Sequence, residues 1–450
     1  MKTPKILCLV TLAALLLMMA QGWWHFIPMR SLKGVSTMPD CPHVTLRDFA
    51  DGSWQAQMEK YATFNFGFRE PAIRLYNQYV WSCYHKTLNK GIVPGRDGYL
   101  YERYFVEDYY ESRMYKYTEN PQELLDKFDL EARRLARLQA LLKERGKTLF
   151  VAIMPGKDVL YPEHLPSQDT MTRTPGPKAY PEYLRLFDQY GVNYVDVLGW
   201  FQDIKGSVSY PLMTPQGTHW SNIAATYAFD SIMRYMQSLG GPAIRPVCLG
   251  KPYVDKVREP DDDLARLLNL VVTPREKEYK YVDVTYPPTN QLSNLPTRKP
   301  SLIVLGDSFF WNISYNYTLD SLFRYTYYWF YYNTVYFDPA HDNTSQYDLR
   351  AALDDADYIM FSYCSGQLYD LGNGFIGKAL VSLCYTDAEI QAVRDSICAN
   401  IRADERWLHY VEDKAERDGI TLEQALLNDA EYLISTRPEE YFDKLKVNGN

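Results

Sequence analysis

The sequence contains little cysteine: it has seven residues among 450, and no two stand in the C-x-x-C spacing of zinc or thioredoxin-type sites. Cys8 lies in an apolar run, which leaves an even number whose pairing stays open. We therefore predict neither a metal site nor a bound cofactor.

Basic residues are fewer than acidic ones: the chain has 48 Lys and Arg and 56 Asp and Glu, and its net charge is −8 at pH 7. This argues against a nucleic-acid partner, which needs phosphate neutralisation. Glycine and proline, 24 and 26, exclude a collagen-like chain, and the 46% of apolar residues excludes a wholly disordered one. Tyrosine is abundant, with 39 copies, which suits a globular protein with a stacking surface for flat or ring-shaped ligands.

Long hydrophobic runs are absent after the first thirty residues. Residues 1–30 are predicted as a signal anchor or a cleaved signal peptide. The small-x-small triplet at Ala20-Gln21-Gly22 favours cleavage, whereas the extension to Ile27 and the interfacial pair Trp23-Trp24 favour an anchor. In either case we expect the remainder outside the cytoplasm, in the periplasm, tethered to the inner membrane if the segment is retained.

The rest of the chain divides into three regions by pattern. Residues 31–90 are predicted as an irregular or helical stalk. Residues 91–380 alternate strands and helices around a Pro- and charge-rich insertion at about 240–300, and residues 381–450 are helical throughout. The predicted strands are 149–154, 192–197, 302–305, 334–337 and 358–362. Strands that alternate with helices in this way predict a mostly parallel sheet with helices on both faces, a three-layer α/β/α domain.

Two predicted junctions carry reactive side chains. Gly306-Asp307-Ser308 follows a strand directly, so Ser308 stands at the head of a helix, where backbone N–H groups favour an oxyanion. His219 immediately precedes a helix capped by Ser221. Serine becomes a nucleophile when a base takes its proton, and histidine is suited to that task near neutral pH. Each motif alone is equally compatible with a structural junction, but both belong at the same edge of one sheet.

Five stretches together carry a family resemblance. Gly306-Asp307-Ser308-Phe309 and Gly217-Thr218-His219-Trp220 resemble the SGNH-hydrolase-like domain of the alginate O-acetyltransferase (AlgX/AlgJ-like) family, which carries its histidine upstream of its serine. Residues 95–101, 154–162 and 368–376 resemble further segments of that family and of related bacterial sequences. The match covers roughly 90–380 and implies a flavodoxin-like parallel sheet.

The resemblance also implies a function. Members transfer acetyl groups to hydroxyls of exported polysaccharides, with Ser308 as the acetyl-enzyme and His219 as base and then acid. A membrane-bound acyltransferase of the MBOAT type is the implied acetyl donor. Two alternatives stay open: a carbohydrate acetylesterase of the same fold, and a non-catalytic polysaccharide-binding or scaffold subunit of an acetylation complex.

One departure from the family pattern affects the mechanism. The family has an Asp two residues before the histidine, where this chain has Gly217. Three hypotheses follow: the Gln216 side chain orients the ring, a carboxylate such as Asp307 or Asp158 replaces the missing acid, or the domain binds without reacting. Gln216, Asp307 and Gly306 are therefore predicted as orienting or oxyanion residues.

Substrate contacts and a second base are predicted from the remaining patterns. The aromatic run 325–332, with Tyr328 and Trp329, is interpreted as a sugar platform or as core, and Lys157 as a contact for an anionic sugar or as a partner of a carboxylate. The Asp338-x-x-His341 spacing predicts a secondary base or a simple turn.

Overall fold

The computed structural model describes residues 2–34, 39–111, 113–167, 176–288 and 298–445. Its α-helices are α1 Lys2–Trp24, α2 Leu46–Asp51, α3 Ser53–Phe64, α4 Arg69–Tyr84, α5 Arg103–Tyr110, α6 Pro121–Glu144, α7 Lys157–Leu160, α8 Ala179–Tyr190, α9 Val197–Ile204, α10 Asn222–Ser238, α11 Asp263–Leu267, α12 Phe310–Asn316, α13 Leu319–Leu322, α14 Leu349–Asp355, α15 Phe375–Cys384, α16 Asp387–Ala403, α17 Glu405–Asp418, α18 Leu422–Thr436 and α19 Pro438–Tyr441.

The strands are β1 Ile92–Pro94, β2 Leu100–Glu102, β3 Thr148–Met154, β4 Tyr194–Asp196, β5 Cys248–Leu249, β6 Tyr253–Lys256, β7 Glu278–Tyr281, β8 Val284–Thr285, β9 Leu302–Gly306, β10 Thr326–Phe330, β11 Thr334–Tyr336 and β12 Tyr358–Cys364. Short 3₁₀ helices lie at Arg113–Lys116, Pro162–His164, Thr344–Gln346, Ser365–Gly374 and Asp443–Leu445.

A six-stranded sheet in the order β11-β10-β9-β12-β3-β4 forms the centre of the larger of two compact units, residues 104–214, 219–261 and 278–450. The strands β4, β3, β12, β9 and β10 are parallel, and β11 is an antiparallel edge strand. The chain moves from β3 outward to β4 and later from β9 outward to β10, so the strand order reverses between β3 and β9. In open α/β sheets, ligands bind at the carboxyl ends of the strands at such a reversal.

Helices cover both faces of this sheet because its strands are apolar on both sides. On one face, Leu149, Val151 and Ile153 of β3 share a core with apolar residues of α6, α8 and α15. On the other, the ring of Phe150 lies 5.8 Å from that of Tyr235 on α10. The predicted α/β class and three-layer arrangement are confirmed.

Local sequence signals set several of the helix ends. Asn120 accepts a hydrogen bond from the Gln122 amide at 3.0 Å and Pro121 starts α6, as the sequence predicts. Gly191 ends α8 in the left-handed conformation with φ 66°. After β9 the chain forms two short helices, since α12 ends at Asn316 and α13 is a separate turn.

The aromatic run after α13 is β10, a central strand that the sequence reading missed. Tyrosine, tryptophan and phenylalanine favour strands. The sequence analysis interprets the run as a sugar platform or as core and predicts no strand there.

The smaller unit comprises residues 1–103, 215–218 and 262–277. Its core joins Ile92 and Leu100 of the β1–β2 hairpin to Leu264, Ala265 and Leu268 of the α11 region. The stalk predicted at 31–90 contributes α2, α3 and α4, and Asn77 on α4 donates to the Leu268 carbonyl at 2.9 Å. The predicted insertion at 240–300 contains the small pairs β5–β8 and β6–β7, and its residues 289–297 lie outside the described residues.

The C-terminal helices share the core of the larger unit. Ile397, Val411, Leu426 and Ile434 belong to the same apolar cluster as the strands. Helices α16 to α19 lie in the described part of the predicted helical segment. The tertiary structure adds them to the side of the sheet covered by α6 and α15. The cysteines of the described residues are all unpaired.

Candidate active site

Ser308 lies in the turn that connects β9 to α12, at the carboxyl end of a central strand. Gly306, the last residue of β9, pairs with Ser362 of β12, and a Cβ at Gly306 would lie closer than 3.0 Å to the Ser362 carbonyl oxygen. The glycine is therefore needed for the close approach of two strands.

Asp307 holds the turn in place through backbone groups. Its carboxylate accepts hydrogen bonds from the Phe309 amide at 3.0 Å and from the Cys364 amide at 2.7 Å. Its own amide donates to the Ser362 carbonyl at 3.0 Å. Burial raises the pKa of Asp307 above its ordinary value, although the hydrogen bonds from Cys364 and Phe309 oppose this. Asp307 thus ties the nucleophile turn to the end of β12.

The amides that follow Ser308 are used within the turn. Phe309 donates to the Asp307 carboxylate, Phe310 to the Asp307 carbonyl at 3.4 Å, and Trp311 to the Ser308 carbonyl at 3.2 Å. Each of these amides already has an acceptor within the turn. The oxyanion role of the helix head and of Asp307 stays a prediction.

The loop that carries His219 is fixed by buried neighbours. The indole nitrogen of Trp220, a fully buried residue, donates to the Phe309 carbonyl at 3.1 Å, and Asn312 donates to the Trp220 carbonyl at 3.0 Å. Ser221 caps α10 by accepting from the Ala224 amide at 3.2 Å. These bonds hold the histidine loop against the first turn of α12.

The two predicted catalytic side chains meet. His219 Nε2 lies 2.8 Å from Ser308 Oγ, and both residues are half-buried. The imidazole also lies against the ring of Phe309, with 4.9 Å between centroids. For Nε2 to accept the serine proton, the neutral ring must carry its own proton on Nδ1. A serine and an imidazole at this distance can form and resolve an acyl-enzyme.

Sequence reasoning missed the buried contacts that position the histidine loop. The ammonium group of Lys157, at the end of β3, donates to the Thr214 carbonyl at 2.8 Å, and Thr214 donates to the Asp261 carbonyl. Asp261 accepts from both the amide and the side chain of Asn222, at 2.9 and 3.0 Å. No local signal marks these contacts, since partners 39 to 57 residues apart meet only in the fold.

A protein-family model identifies the family to which this chain belongs. Residues 92–319, half of the chain, match the model described as the SGNH hydrolase-like domain of the acetyltransferase AlgX. The chain belongs to this family. The resemblance predicted from the Ser308 and His219 motifs is confirmed.

A curated relative agrees with the family assignment. The probable alginate O-acetylase AlgJ of Pseudomonas aeruginosa strain PAO1 is 25% identical over 210 residues, which are 47% of this chain and 46% of AlgJ. The chain therefore spans about half the length of the curated relative that it matches.

Three solved structures align with part of this chain. The O-acetyltransferase domain of Pseudomonas putida AlgJ aligns with a TM-score of 0.40 at 16% identity, covering 62% of this chain and 92% of the domain. Bacillus cereus PatB1 aligns with a TM-score of 0.37 at 14% identity, covering 62% and 96%. Pseudomonas aeruginosa AlgX also gives 0.37, at 11% identity, covering 63% and 65%.

The acid that the family pattern carries before its histidine is not replaced by either predicted carboxylate. Asp307 is occupied by backbone amides. Asp158 is 1% exposed, and its Oδ1 has no hydrogen-bond partner. Gln216 belongs to the smaller unit, where its side chain donates to the Gly98 carbonyl at 3.4 Å and accepts from the Glu276 amide at 3.5 Å. Its orienting role stays a prediction.

The two residues named for the predicted sugar platform are not available to a ligand. Tyr328 and Trp329 are both 0% exposed. Tyr328 donates to the Asp307 carbonyl, and Trp329 belongs to the main apolar core. The proposed ligand contact is corrected to core packing, because a central strand buries its side chains on both faces. Lys157, also 0% exposed, binds the Thr214 carbonyl, which corrects its proposed sugar contact.

Asp338 and His341 do form the acid–base pair that their spacing predicts, with 2.7 Å between Asp338 Oδ2 and His341 Nδ1. The pair lies at the edge of the sheet opposite to the edge that carries Ser308. β11 runs antiparallel to β10, so the turn after Tyr336 lies toward the amino edge of the sheet, next to the start of the parallel strands. The Ser308 hydroxyl lies at the carboxyl edge, where its hydrogen-bond partner is His219.

Proposed function

We propose that this protein is an extracytoplasmic O-acetyltransferase, which moves acetyl groups through an acetyl-Ser308 intermediate onto hydroxyl groups of an exported polysaccharide. The observation that carries the proposal is the 2.8 Å contact between His219 Nε2 and Ser308 Oγ at the carboxyl edge of the sheet. Membership of an acetyltransferase family supports the choice of an acetyl group as the cargo.

The chemistry proceeds in two balanced steps. Ser308 Oγ attacks the carbonyl carbon of the donor ester while His219 Nε2 takes its proton, and His219 then protonates the departing oxygen. In the second step an acceptor hydroxyl loses its proton to Nε2 and its oxygen bonds to the acetyl carbon. The bond from that carbon to Ser308 Oγ breaks, and Oγ regains the proton.

Ser308→Ala tests the nucleophile directly. We expect it to abolish release of chromophore from a chromogenic acetyl ester and to remove the acetyl adduct detected by mass spectrometry. Ser314→Ala is the matched control, because Ser314 lies on α12, the helix that follows Ser308, and its hydroxyl donates only within that helix, to the Trp311 carbonyl. Unchanged turnover in Ser308→Ala would overturn the assignment.

The identity of the acceptor separates this proposal from its alternatives. Addition of polysaccharide to wild-type protein is expected to yield acetylated polymer. Acetate as the sole product would instead identify an esterase. Polysaccharide binding that survives His219→Ala, with no acetyl adduct on any variant, would identify a non-catalytic subunit.

We propose a membrane-bound acyltransferase as the acetyl donor, because acetyl-CoA is a cytoplasmic compound and the proposed site is extracytoplasmic. Purified full-length protein in detergent should acquire no acetyl adduct from acetyl-CoA alone. Membranes that contain the acyltransferase should restore the adduct on Ser308. Adduct formation from acetyl-CoA without membranes would contradict this partner.

The anchor interpretation of residues 1–30 has its own support. The described residues include one helix long and apolar enough to cross a membrane, Lys5–Trp24 within α1. Gln21 is 2% exposed and makes two hydrogen bonds with the Ile27 backbone, at 2.7 and 3.0 Å. A Cβ on Gly22 would lie closer than 3.0 Å to the Asn65 carbonyl, and one on Gly67 closer than that to the Met18 carbonyl.

We infer that α1 is retained, since a cleaved signal peptide would take this fitted backbone contact with it. N-terminal sequencing of the protein extracted from membranes is expected to find the segment intact. A mature chain that begins after Gly22 would contradict retention and leave the acetyl-transfer proposal untouched.

A further inference from the structure

The corner between α3 and α4, residues 59–73, exposes apolar surface. The structure describes both helices from end to end, and no residue in either helix is buried. Phe66, in the turn that connects them, is 47% exposed. Helices in proteins gain most of their stability from packing an apolar face. An exposed apolar surface of this kind marks a site of contact with another molecule.

A groove lies at this corner. It is an open cavity of about 650 Å³, and the end of α3, the turn and the start of α4 line it. Its charged residues are Glu59 and Arg69, and the rest of its lining is Ala62, Thr63, Phe66, Ala72 and Ile73. The guanidinium of Arg69 lies over the Phe64 ring, 4.5 Å from its centroid. Because a long charged side chain covers apolar surface with its stem and keeps its charge at the level of water, the groove suits an acyl chain with a polar end.

The turn 65–68 packs against the side of α1. A Cβ on Gly67 would lie closer than 3.0 Å to the Met18 carbonyl oxygen, and one on Gly22 closer than 3.0 Å to the Asn65 carbonyl oxygen. Met18 and Gly22 are one helical turn apart, so they lie on the same face of α1. Glycine at both positions therefore lets the backbone of the turn touch the backbone of α1.

The position of this contact along α1 gives the depth of the turn in a membrane. The apolar stretch that can cross a membrane is Lys5–Trp24. A helix rises about 1.5 Å per residue, so Met18 lies about 9 Å before Trp24 along the axis. Tryptophan rings are enriched at the membrane interface, where we place Trp23 and Trp24. The turn then lies at the depth of about 5–10 Å at which interfacial segments bury their apolar side chains.

The helix α4 leads away from the membrane in the same direction as the segment that follows α1. Arg74 donates to the Ser31 carbonyl at 2.9 Å. Further along, the Lys33 amide donates to the Asn269 side chain at 2.9 Å, and Asn77 donates to the Asn269 carbonyl at 3.4 Å. Both segments thus rise together from the contact with α1, and the turn lies at the end of α4 nearest to the membrane.

The turn consists of uncharged residues, Asn65-Phe66-Gly67-Phe68. Phe68 has φ 64°, the left-handed conformation that favours glycine. Bulky residues held in such a conformation concentrate at functional sites. Two phenylalanine rings at the end of the corner nearest to the membrane supply apolar groups for a lipid environment.

We propose that the turn 65–68 inserts into the extracytoplasmic leaflet of the lipid bilayer beside α1, and that an acyl chain of a lipid occupies the groove at the α3–α4 corner. This inference rests on the retention of α1 and on the extracytoplasmic location proposed above. It adds a second membrane contact. A single helix leaves the attached unit free to rotate about the helix axis, whereas a second contact fixes the face that the smaller unit turns toward the membrane.

Photolabelling from within the bilayer tests the insertion on the full-length chain. The protein is reconstituted in vesicles of phosphatidylethanolamine and phosphatidylglycerol that contain a lipid with a diazirine on its acyl chain. Mass spectrometry then measures the labelled tryptic peptides. Peptide 61–69, which contains the turn, should be labelled about tenfold more than peptide 267–275. Peptide 6–30, from α1, is the positive control.

Peptide 267–275 is the matched control because it exposes an apolar side chain in the same unit. Val272 is 71% exposed, and its amide donates to the Gln78 side chain at 2.8 Å. Gln78 lies about 15 Å along α4 from Phe68, beyond the expected level of the acyl chains. Exposure alone would therefore label both peptides, whereas insertion labels only the turn.

A charge in the turn provides the second comparison. Phe66→Asp should lower the label on peptide 61–69 about fivefold, while peptide 6–30 keeps its label. Val272→Asp, the same substitution at the control position, should leave both labels unchanged. Circular dichroism establishes that the variants are folded, and the comparison of peptides in the wild-type protein requires no variant.

The outcomes separate this inference from the proposals on which it rests. If peptide 6–30 is labelled and peptide 61–69 carries no more label than peptide 267–275, the insertion is wrong and the retention of α1 stands. Equal label in wild type and Phe66→Asp would also overturn the insertion. A mature chain that begins after Gly22 would overturn retention and insertion together. None of these results depends on acetyl transfer, which Ser308→Ala tests separately.

Discussion

The two edges of the central sheet each carry a histidine pair. At the carboxyl edge His219 meets Ser308, at 2.8 Å, and at the amino edge His341 meets Asp338, at 2.7 Å. The second pair has the shorter and more regular sequence spacing, three residues as against eighty-nine. Yet only the first contains the proposed nucleophile and lies where the strand order reverses. The Asp-x-x-His spacing therefore predicted the hydrogen bond between Asp338 and His341. The direction of the strands places that bond at the amino edge of the sheet.

The amino-edge pair has a structural explanation. Tyr347 donates to the same Asp338 oxygen as His341, and Ala340 donates its amide to the other at 2.9 Å. The imidazole also lies 4.4 Å from the Tyr347 ring. These contacts close the turn after β11, so Asp338 serves as the centre of a turn.

The largest difference between the edges should appear in activity. His219→Ala removes the base and is expected to lower kcat/KM for acetyl release by about 10² to 10⁴-fold. His341→Ala, the same substitution at the other edge, should change it by less than about twofold. Steady-state kinetics with a chromogenic ester measure both, and a comparable loss in His341→Ala would make the comparison wrong.

The next effect is on stability at two glycines. Gly306→Ala places a Cβ against the rigid Ser362 backbone of β12 and should cost about 1–3 kcal/mol. Gly241→Ala meets the Tyr358 ring beside the start of β12, and we expect a smaller loss because a side chain can shift. Urea unfolding measures the loss of unfolding free energy in both variants. Equal losses would contradict the claim that a backbone contact at the carboxyl edge tolerates an added Cβ less well than a side-chain contact does.

The pH dependence of stability should have opposite signs at the two edges. Burial and the charge of Asp108 raise the pKa of Asp158 from 3.8 to about 8, so its stabilising contribution is complete below pH 3.8 and is lost as the pH rises through about 8. Asp158→Asn lacks this loss, so its stability relative to wild type should rise across that interval. A gain that does not grow with pH would contradict the raised pKa.

Asp338 should give the smallest effect and the reverse slope. Burial alone would raise its pKa, but hydrogen bonds from Tyr347, Ala340 and His341 outweigh burial and lower it. Its contribution is therefore present above pH 3.8 and lost as the pH falls further. Asp338→Asn should cost about 1 kcal/mol near neutral pH, and the difference from wild type should shrink in acid. Denaturant unfolding at several pH values records it.

Much of the fold could be predicted from pattern. Buried strands such as β3, β9 and β12 are short apolar runs, and the caps at Asn120, Ser221 and Gly191 are local hydrogen-bond or backbone preferences. The strand β10 was missed because its aromatic residues suit a binding surface equally well. Whether these side chains are buried depends on which other segments pack against them. The same ambiguity produced the incorrect sugar contacts at Tyr328 and Trp329.

The site was predictable only in part, for a related reason. Ser308 and His219 follow recognisable turns, so their residue types and their edge could be argued from the chain alone. The partners of Asp307, Lys157 and Asp261 could not, because each carboxylate or ammonium is bonded to a group far away in sequence. Gln216 was predicted as an orienting residue because it lies close to His219 in the sequence. The structure shows its hydrogen bonds, and its orienting role stays a prediction.

The order of residues by itself determined most of the strand and helix segments, the family and the two chemical groups that we propose to exchange a proton. Only the tertiary structure decided which histidine lies beside the serine, which aromatic rings are enclosed and which buried polar atoms are left without partners. The physical reason is that apolar periodicity and capping act over a few residues, whereas hydrogen-bond partners and burial depend on strand direction and on contacts between segments distant in the chain.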